Sequence, residues 1–159
     1  MAVFYSFHYE RDVTRVQLVR NMGVLDGQPL LKAQEWEQVL ASGDAAVEKW
    51  IDDEMSYKRA VVVLVGAETA DRPWVQYEIE KAWADRKPLV GIRVHGLANL
   101  QGQTDRSGPN PFSKIQADSW SKLDSRVHLH DPAGATSSAV YRSIQANLET
   151  WVDNAVRRR

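Results

Sequence analysis

The run Ala60-Val61-Val62-Val63-Leu64-Val65 constrains this chain more than any other segment. Its unbroken, mostly β-branched apolar character, closed by Gly66, is too short for a helix and suits a strand buried on both faces. Such a strand needs parallel neighbours in its sheet and helical layers above and below. The flanking sequence supplies both. Apolar runs at Ala2–Phe7 and Leu89–Val94 read as further strands, with Arg126–His130 as a last short one. Helical spacing of apolar residues runs from about Asp12 to Met22, with Gly23 as its stop. A second helical pattern runs from an Asp44 cap to about Tyr57, a third from Pro73 to about Arg86, and a last from about Ser137 to Val156. Asp71 or Arg72 is expected to cap the third, because Pro73 loses nothing in a first turn. The stretch Val24–Ser42 is the least patterned. There Pro29-Leu30-Leu31 reads as a brief edge strand and Lys32–Leu40 as a short helix carrying Trp36. The expected fold class is α/β, flavodoxin-like: about five parallel strands with helices on both faces, in one domain over residues 1–159.

Composition narrows the chemistry. The chain has 159 residues and no cysteine, which removes disulfides, thiolate nucleophiles and thiolate metal sites, and fits a reducing cytoplasm. A formal charge of −1, with no wide basic stripe, argues against nucleic acid. No apolar run approaches the roughly 20 residues of a membrane span, and the start has no secretory-signal pattern. The six tryptophans are many for this length, so some are expected to line a cleft rather than only the core. Neither a P-loop nor G-x-G-x-x-G follows the first strand, which disfavours NTPase and Rossmann readings.

Parallel sheets bind ligands outside the carboxyl ends of their strands, which directs attention to Phe7–Asp12, Gly66–Glu78 and His95–Phe112. On the helix Pro73–Arg86, residues Val75, Ile79, Ala82 and Trp83 form the stripe that meets the sheet. Trp74 and Glu78 lie one turn apart on the adjoining face. A carboxylate at the margin of the core beside an aromatic plate can hold a flat ring and oppose developing positive charge. The structural alternative is a Glu favoured by the helix dipole and paired with Lys81 or Lys49, beside a Trp74 that only packs.

The order of motifs is similar to that of TIR domains. Val3-Phe4-Tyr5-Ser6-Phe7-His8-Tyr9 resembles their first strand and loop. Val61–Gly66 followed by Trp74-Val75-Gln76-Tyr77-Glu78-Ile79 resembles the strand and helix that carry the catalytic Glu of NAD-consuming TIR enzymes. Ser6–Tyr9, Val19–Asn21, Trp36-Glu37, Gly43-Asp44, Trp74–Ile79 and Gly108-Pro109-Asn110-Pro111-Phe112 together resemble the TIR-like subunit of Thoeris anti-phage systems. That resemblance implies a cytoplasmic enzyme that takes NAD as substrate, with no resident cofactor or metal. It would cleave the nicotinamide–ribose bond and release a cyclic ADP-ribose isomer that activates a partner effector after a phage-derived trigger. It assigns Glu78 the catalytic role and makes Ser6, Phe7, His8, Trp74, Tyr77 and Asn110 candidates for holding substrate. It also implies self-association, with a neighbouring copy completing the site. The alternative function is a non-catalytic TIR-type module that binds other TIR surfaces. A receiver-like phospho-acceptor ranks lower, since the first strand ends in Ser6-Phe7-His8 rather than an acidic cluster, and a flavodoxin lower still.

Other signals have plainer readings. His8 is as well explained by a hydrogen-bonded loop as by a pocket. His128 and His130 alternate and would face one side, without a matching third metal ligand. Gly108–Phe112 is first a rigid turn, and Arg157–Arg159 a solvated tail.

Overall fold

The computed structural model describes residues 2–159. Five parallel strands form one sheet in the order β2-β1-β3-β4-β5. They are β1 (Ala2–Ser6), β2 (Asp26–Gly27), β3 (Ala60–Val65), β4 (Leu89–Arg93) and β5 (Leu129–His130). As the Val-rich run requires, β3 is central and buried along its whole length. Alternation sends Val62 and Leu64 to one face, where α1 (Tyr9–Asn21) and α5 (Ser137–Asp153) supply Val16, Val19, Ile144 and Leu148. Val61, Val63 and Val65 face the other side, against Val47, Ile51 and Met55 of α3 (Asp44–Ser56) and Val75 and Ile79 of α4 (Pro73–Ala84). Each such side chain removed from water contributes about 1.5–3 kcal/mol, so the two faces hold the sheet from both sides. Among the described residues no helix is long and apolar enough to cross a membrane.

Several boundaries differ from expectation, each for a local reason. The edge strand is Asp26–Gly27 rather than Pro29–Leu31. It carries no apolar signal, because it pairs with β1 only at Ala2 and Val3. The short helix α2 spans Ala33–Ala41 and carries Trp36, one residue beyond the expected span. Helix α1 begins a turn earlier than Asp12, since Glu10 and Arg11 sit on its outer side and mask the period. Asp44 is the first helical residue of α3, and Gly43, at φ 94°, occupies the cap. Arg72 takes the cap position of α4, although its side chain makes no capping bond. That helix stops at Ala84 because Arg86 turns left-handed at φ 59° and Lys87 N–H closes back on the Ala82 carbonyl at 2.9 Å. Arg126 caps the end of the 3-10 turn Leu123–Ser125, and β5 is confined to Leu129–His130. Helix α5 ends at Asp153, and Val156 instead bridges Leu89 through backbone bonds of 2.8 and 3.1 Å.

Candidate functional site at the β1–β3 switch

The chain leaves β1 for β2 on one side and returns to β3 on the other, so the strand order reverses at β1. In a parallel sheet that reversal opens a crevice at the strands' carboxyl ends. Ser6 is the last residue of β1, paired in register with Val63. Being two residues beyond Phe4, it points to the same face, towards α4. Its hydroxyl donates to Glu78 Oε1 at 2.7 Å, joining residues far apart in sequence.

Glu78 is only 7% exposed and pairs with neither Lys81 nor Lys49. Lys81 meets Asp85 and Asp52, and Lys49 meets Asp53. The carboxyl is therefore buried without a counter-ion. Burial drives its pKa from the ordinary 4.5 up to about 8, with the Ser6 hydroxyl pulling the other way. A carboxyl in this condition is the mark of a functional site more often than of a structural ion pair.

Around Glu78 the wall is aromatic. Phe4, Phe7, Tyr9, Trp36, Trp50 and Trp74 line one cavity with it, and Gln28, Pro29, Leu30 and Leu31 close the far side. Tyr9 stacks on Trp36 at 5.7 Å, and Trp36 meets Trp50 edge-on at 6.1 Å. The Trp36 indole N–H donates to Glu10 at 3.3 Å, and the Tyr9 hydroxyl donates to the Leu31 carbonyl. The cavity has a volume of only ≈ 50 Å³, room for a few waters.

Gln28 fixes the start of the closing segment. Its side-chain amide accepts from Tyr5 N–H and donates to the Tyr5 carbonyl, both at 2.8 Å, replacing the next ladder pair of β2. The backbone is thereby freed to lift over the pocket as Pro29–Leu31. A charged network supports the neighbouring edge. Asp12, fully buried, pairs with Arg15 at 2.9 Å, and Arg11 bridges Asp105 and Glu68 at 2.6 Å each.

The structure brings Ser6, Phe7, Trp74 and Glu78 together. His8 lies beside them, lining an adjoining shallow recess with Phe7, Arg72 and Trp74. Its Nε2 lies 3.3 Å from the Glu10 carboxylate, and burial and then Arg72 lower its pKa. Tyr77 is turned away. It packs edge-on against Trp74 at 5.6 Å and donates its hydroxyl to Asp52 at 2.9 Å. Asn110 is also elsewhere, its side chain accepting from Phe112 N–H at 2.9 Å to cap a 3-10 turn. His128 and His130 do share a side, stacked at 5.6 Å, with His130 lying 4.6 Å over Trp151. Tyr9, Gln28–Leu31, Trp36 and Trp50 were not named as pocket residues from sequence; the surplus of tryptophan pointed towards Trp36 and Trp50, and Tyr9 fell within the Phe7–Asp12 segment at the strand's carboxyl end.

The model of the Thoeris protein ThsB, TIR-like domain, matches residues 4–99, which span the first four strands and the pocket. The chain belongs to the Thoeris ThsB TIR-like family. A curated relative from Bacillus cereus (strain MSX-D12), named "Putative cyclic ADP-D-ribose synthase ThsB1", is 30% identical over 137 residues, covering 83% of this chain and 71% of the relative. The range over which this ThsB TIR-like chain matches contains both Ser6 and Glu78, the two ends of the buried hydrogen bond.

Proposed function

We propose that this chain cleaves NAD at the nicotinamide–ribose bond and closes the remainder into a cyclic ADP-ribose isomer. The observation that carries the reading is Glu78, a buried carboxyl without a counter-ion set in an aromatic pocket at the sheet's switch point. NAD is then the substrate rather than a resident cofactor. Departure of nicotinamide leaves positive charge on the ribosyl centre, which an adjacent carboxylate stabilises. The incoming nicotinamide ring is itself cationic, and its approach favours the ionised form of Glu78. Phe7 and Trp74 supply flat faces beside the acid, and His8 stands at the rim. Cyclisation rather than hydrolysis needs water excluded and an internal hydroxyl held close, which an aromatic wall serves.

A cavity of ≈ 50 Å³ is far below the roughly 300 Å³ of the smaller ligand pockets, so it takes no more than one ring of the dinucleotide unless the Gln28–Trp36 segment moves outward. We assign the pocket's completion to self-association, and the product's role to a diffusible cytoplasmic signal for an effector protein after a phage-derived trigger. The relative's name accords with the cyclase reaction. Purified protein incubated with NAD, alone and with phage-infected extract, should release nicotinamide and a product with the mass of NAD less nicotinamide. Glu78→Gln should lower that release by at least about 10²-fold while leaving the circular dichroism spectrum unchanged. Failure of the wild type to consume NAD under every activating condition would leave the binding-module reading in its place.

A further inference from the structure

We infer that Ser6 acts as a positioning residue for Glu78, fixing one carboxyl oxygen so that the other is presented to the ribose of the substrate; this rests on the NAD-cleaving reading. Ser6 is completely buried, so its hydroxyl is not available to a ligand in the pocket. Its backbone is locked by the pairing of β1 with β3, and strand alternation aims its side chain at α4. A hydroxyl on this apolar face is costly unless bonded, and its one side-chain hydrogen bond goes to Glu78 Oε1 at 2.7 Å. Glu78 Oε2 carries no hydrogen bond among the described residues, and Glu78 lines the aromatic cavity. One oxygen is thus anchored to the rigid centre of the sheet, and the other is left for chemistry.

No competing charge sets the acid. From α4 itself, Lys81 turns to Asp52 and Asp85. From the start of α1, Glu10 turns to His8 and Trp36, and Tyr9 bonds the Leu31 carbonyl. Trp50 of α3, Trp36 of α2 and Gln28 bring no ionisable group to the cavity. The ionisation of Glu78 therefore answers to burial and to Ser6 alone.

The test pairs a direct titration with kinetics. The Glu78 carboxyl would be followed by carbon-13 NMR in glutamate-labelled protein, assigned by its loss in Glu78→Gln. The wild-type midpoint should lie near 8. In Ser6→Ala it should rise by about one unit or more, because a hydrogen bond that favours the carboxylate is gone. Nicotinamide release at neutral pH should fall about tenfold or more in kcat with KM within about twofold, and the acidic limb of the pH–rate profile should move up with the NMR midpoint. Ser6→Thr, which keeps the hydroxyl, should restore both. An unchanged midpoint in folded Ser6→Ala, or a loss confined to KM, overturns the positioning role. A shifted midpoint in a protein whose wild type never releases nicotinamide supports the anchoring of the carboxyl and sinks the NAD-cleaving reading instead.

Discussion

On one side of the pocket, Phe4 and Ser6 are carried by a strand that pairs with β3 at four consecutive positions. On the other side, Gln28–Leu31 are tied to that same strand by one side-chain amide, after a ladder of only two positions. The first wall is redundant. Its geometry is specified by backbone hydrogen bonds, by burial on two faces and by the packing of α4. The second depends on a few side chains: Gln28, the Tyr9 hydroxyl and the Tyr9–Trp36 stack. The wall that holds the acid is built not to move, and the wall that covers it is fastened where opening disrupts few contacts.

The largest test of the contrast uses pH. Folding raises the Glu78 pKa from 4.5 to about 8, so between those values the folded chain keeps a proton that the unfolded chain releases. Stability contributed by the protonated acid is present below the unfolded value and is lost as pH rises to about 8, on the order of 3 to 4 kcal/mol across the interval. Thermal melts at pH 5 and pH 8 should show that loss in wild type and a much smaller one in Glu78→Gln. Asp12, whose pKa burial raises, acts in the same sense, whereas His8 and His130, whose pKa values burial lowers, act in the opposite one, so the wild-type-minus-Glu78→Gln difference is the quantity to read.

Gly66→Ala strikes the rigid wall directly. A Cβ there would lie 2.1 Å from Asp12 Oδ2, and the Asp12 carboxyl can yield only by leaving Arg15. We expect a loss of about 3 kcal/mol, read as a lower midpoint in urea unfolding. Gln28→Ala should cost less, about 1 to 2 kcal/mol, and its effect should be local. Hydrogen exchange should speed at Tyr5 and through residues 28–33 while the amides of Ala60–Val65 stay protected. Equal acceleration in β3 would mean that the cover and the sheet are one cooperative unit.

The same contrast decided what could be read from sequence. β3 was legible because burial on both faces demands an unbroken apolar run, and α4 because Val75, Ile79 and Ala82 keep a helical period against it. Glu78 could be placed at the core margin beside Trp74 on spacing alone, and the family resemblance supplied its role. Its bond to Ser6 was not legible, since it links two elements across the sheet's switch. The cover was harder still. β2 is a two-residue strand without apolar content, and its continuation is a glutamine side chain imitating a backbone. No periodicity encodes that. Tyr77 and Asn110 show the opposite limit, because adjacency in a motif does not fix which way a side chain turns. Tyr77 turns to Asp52, and Asn110 bonds its own loop.

The Gln28 amide also bears on how such a chain can diverge. Between Pro29 and Ser42 the chain makes no strand pairing: past the Gln28 amide it meets the sheet only through side chains such as Leu30, Trp36, Val39 and Leu40, and the next paired strand comes after α3. Residues in this interval can lengthen, shorten or change character without shifting the register of any strand. Descendants of one ancestral scaffold could therefore acquire different selectivities by rewriting this interval, while the anchored acid passes from parent to daughter untouched.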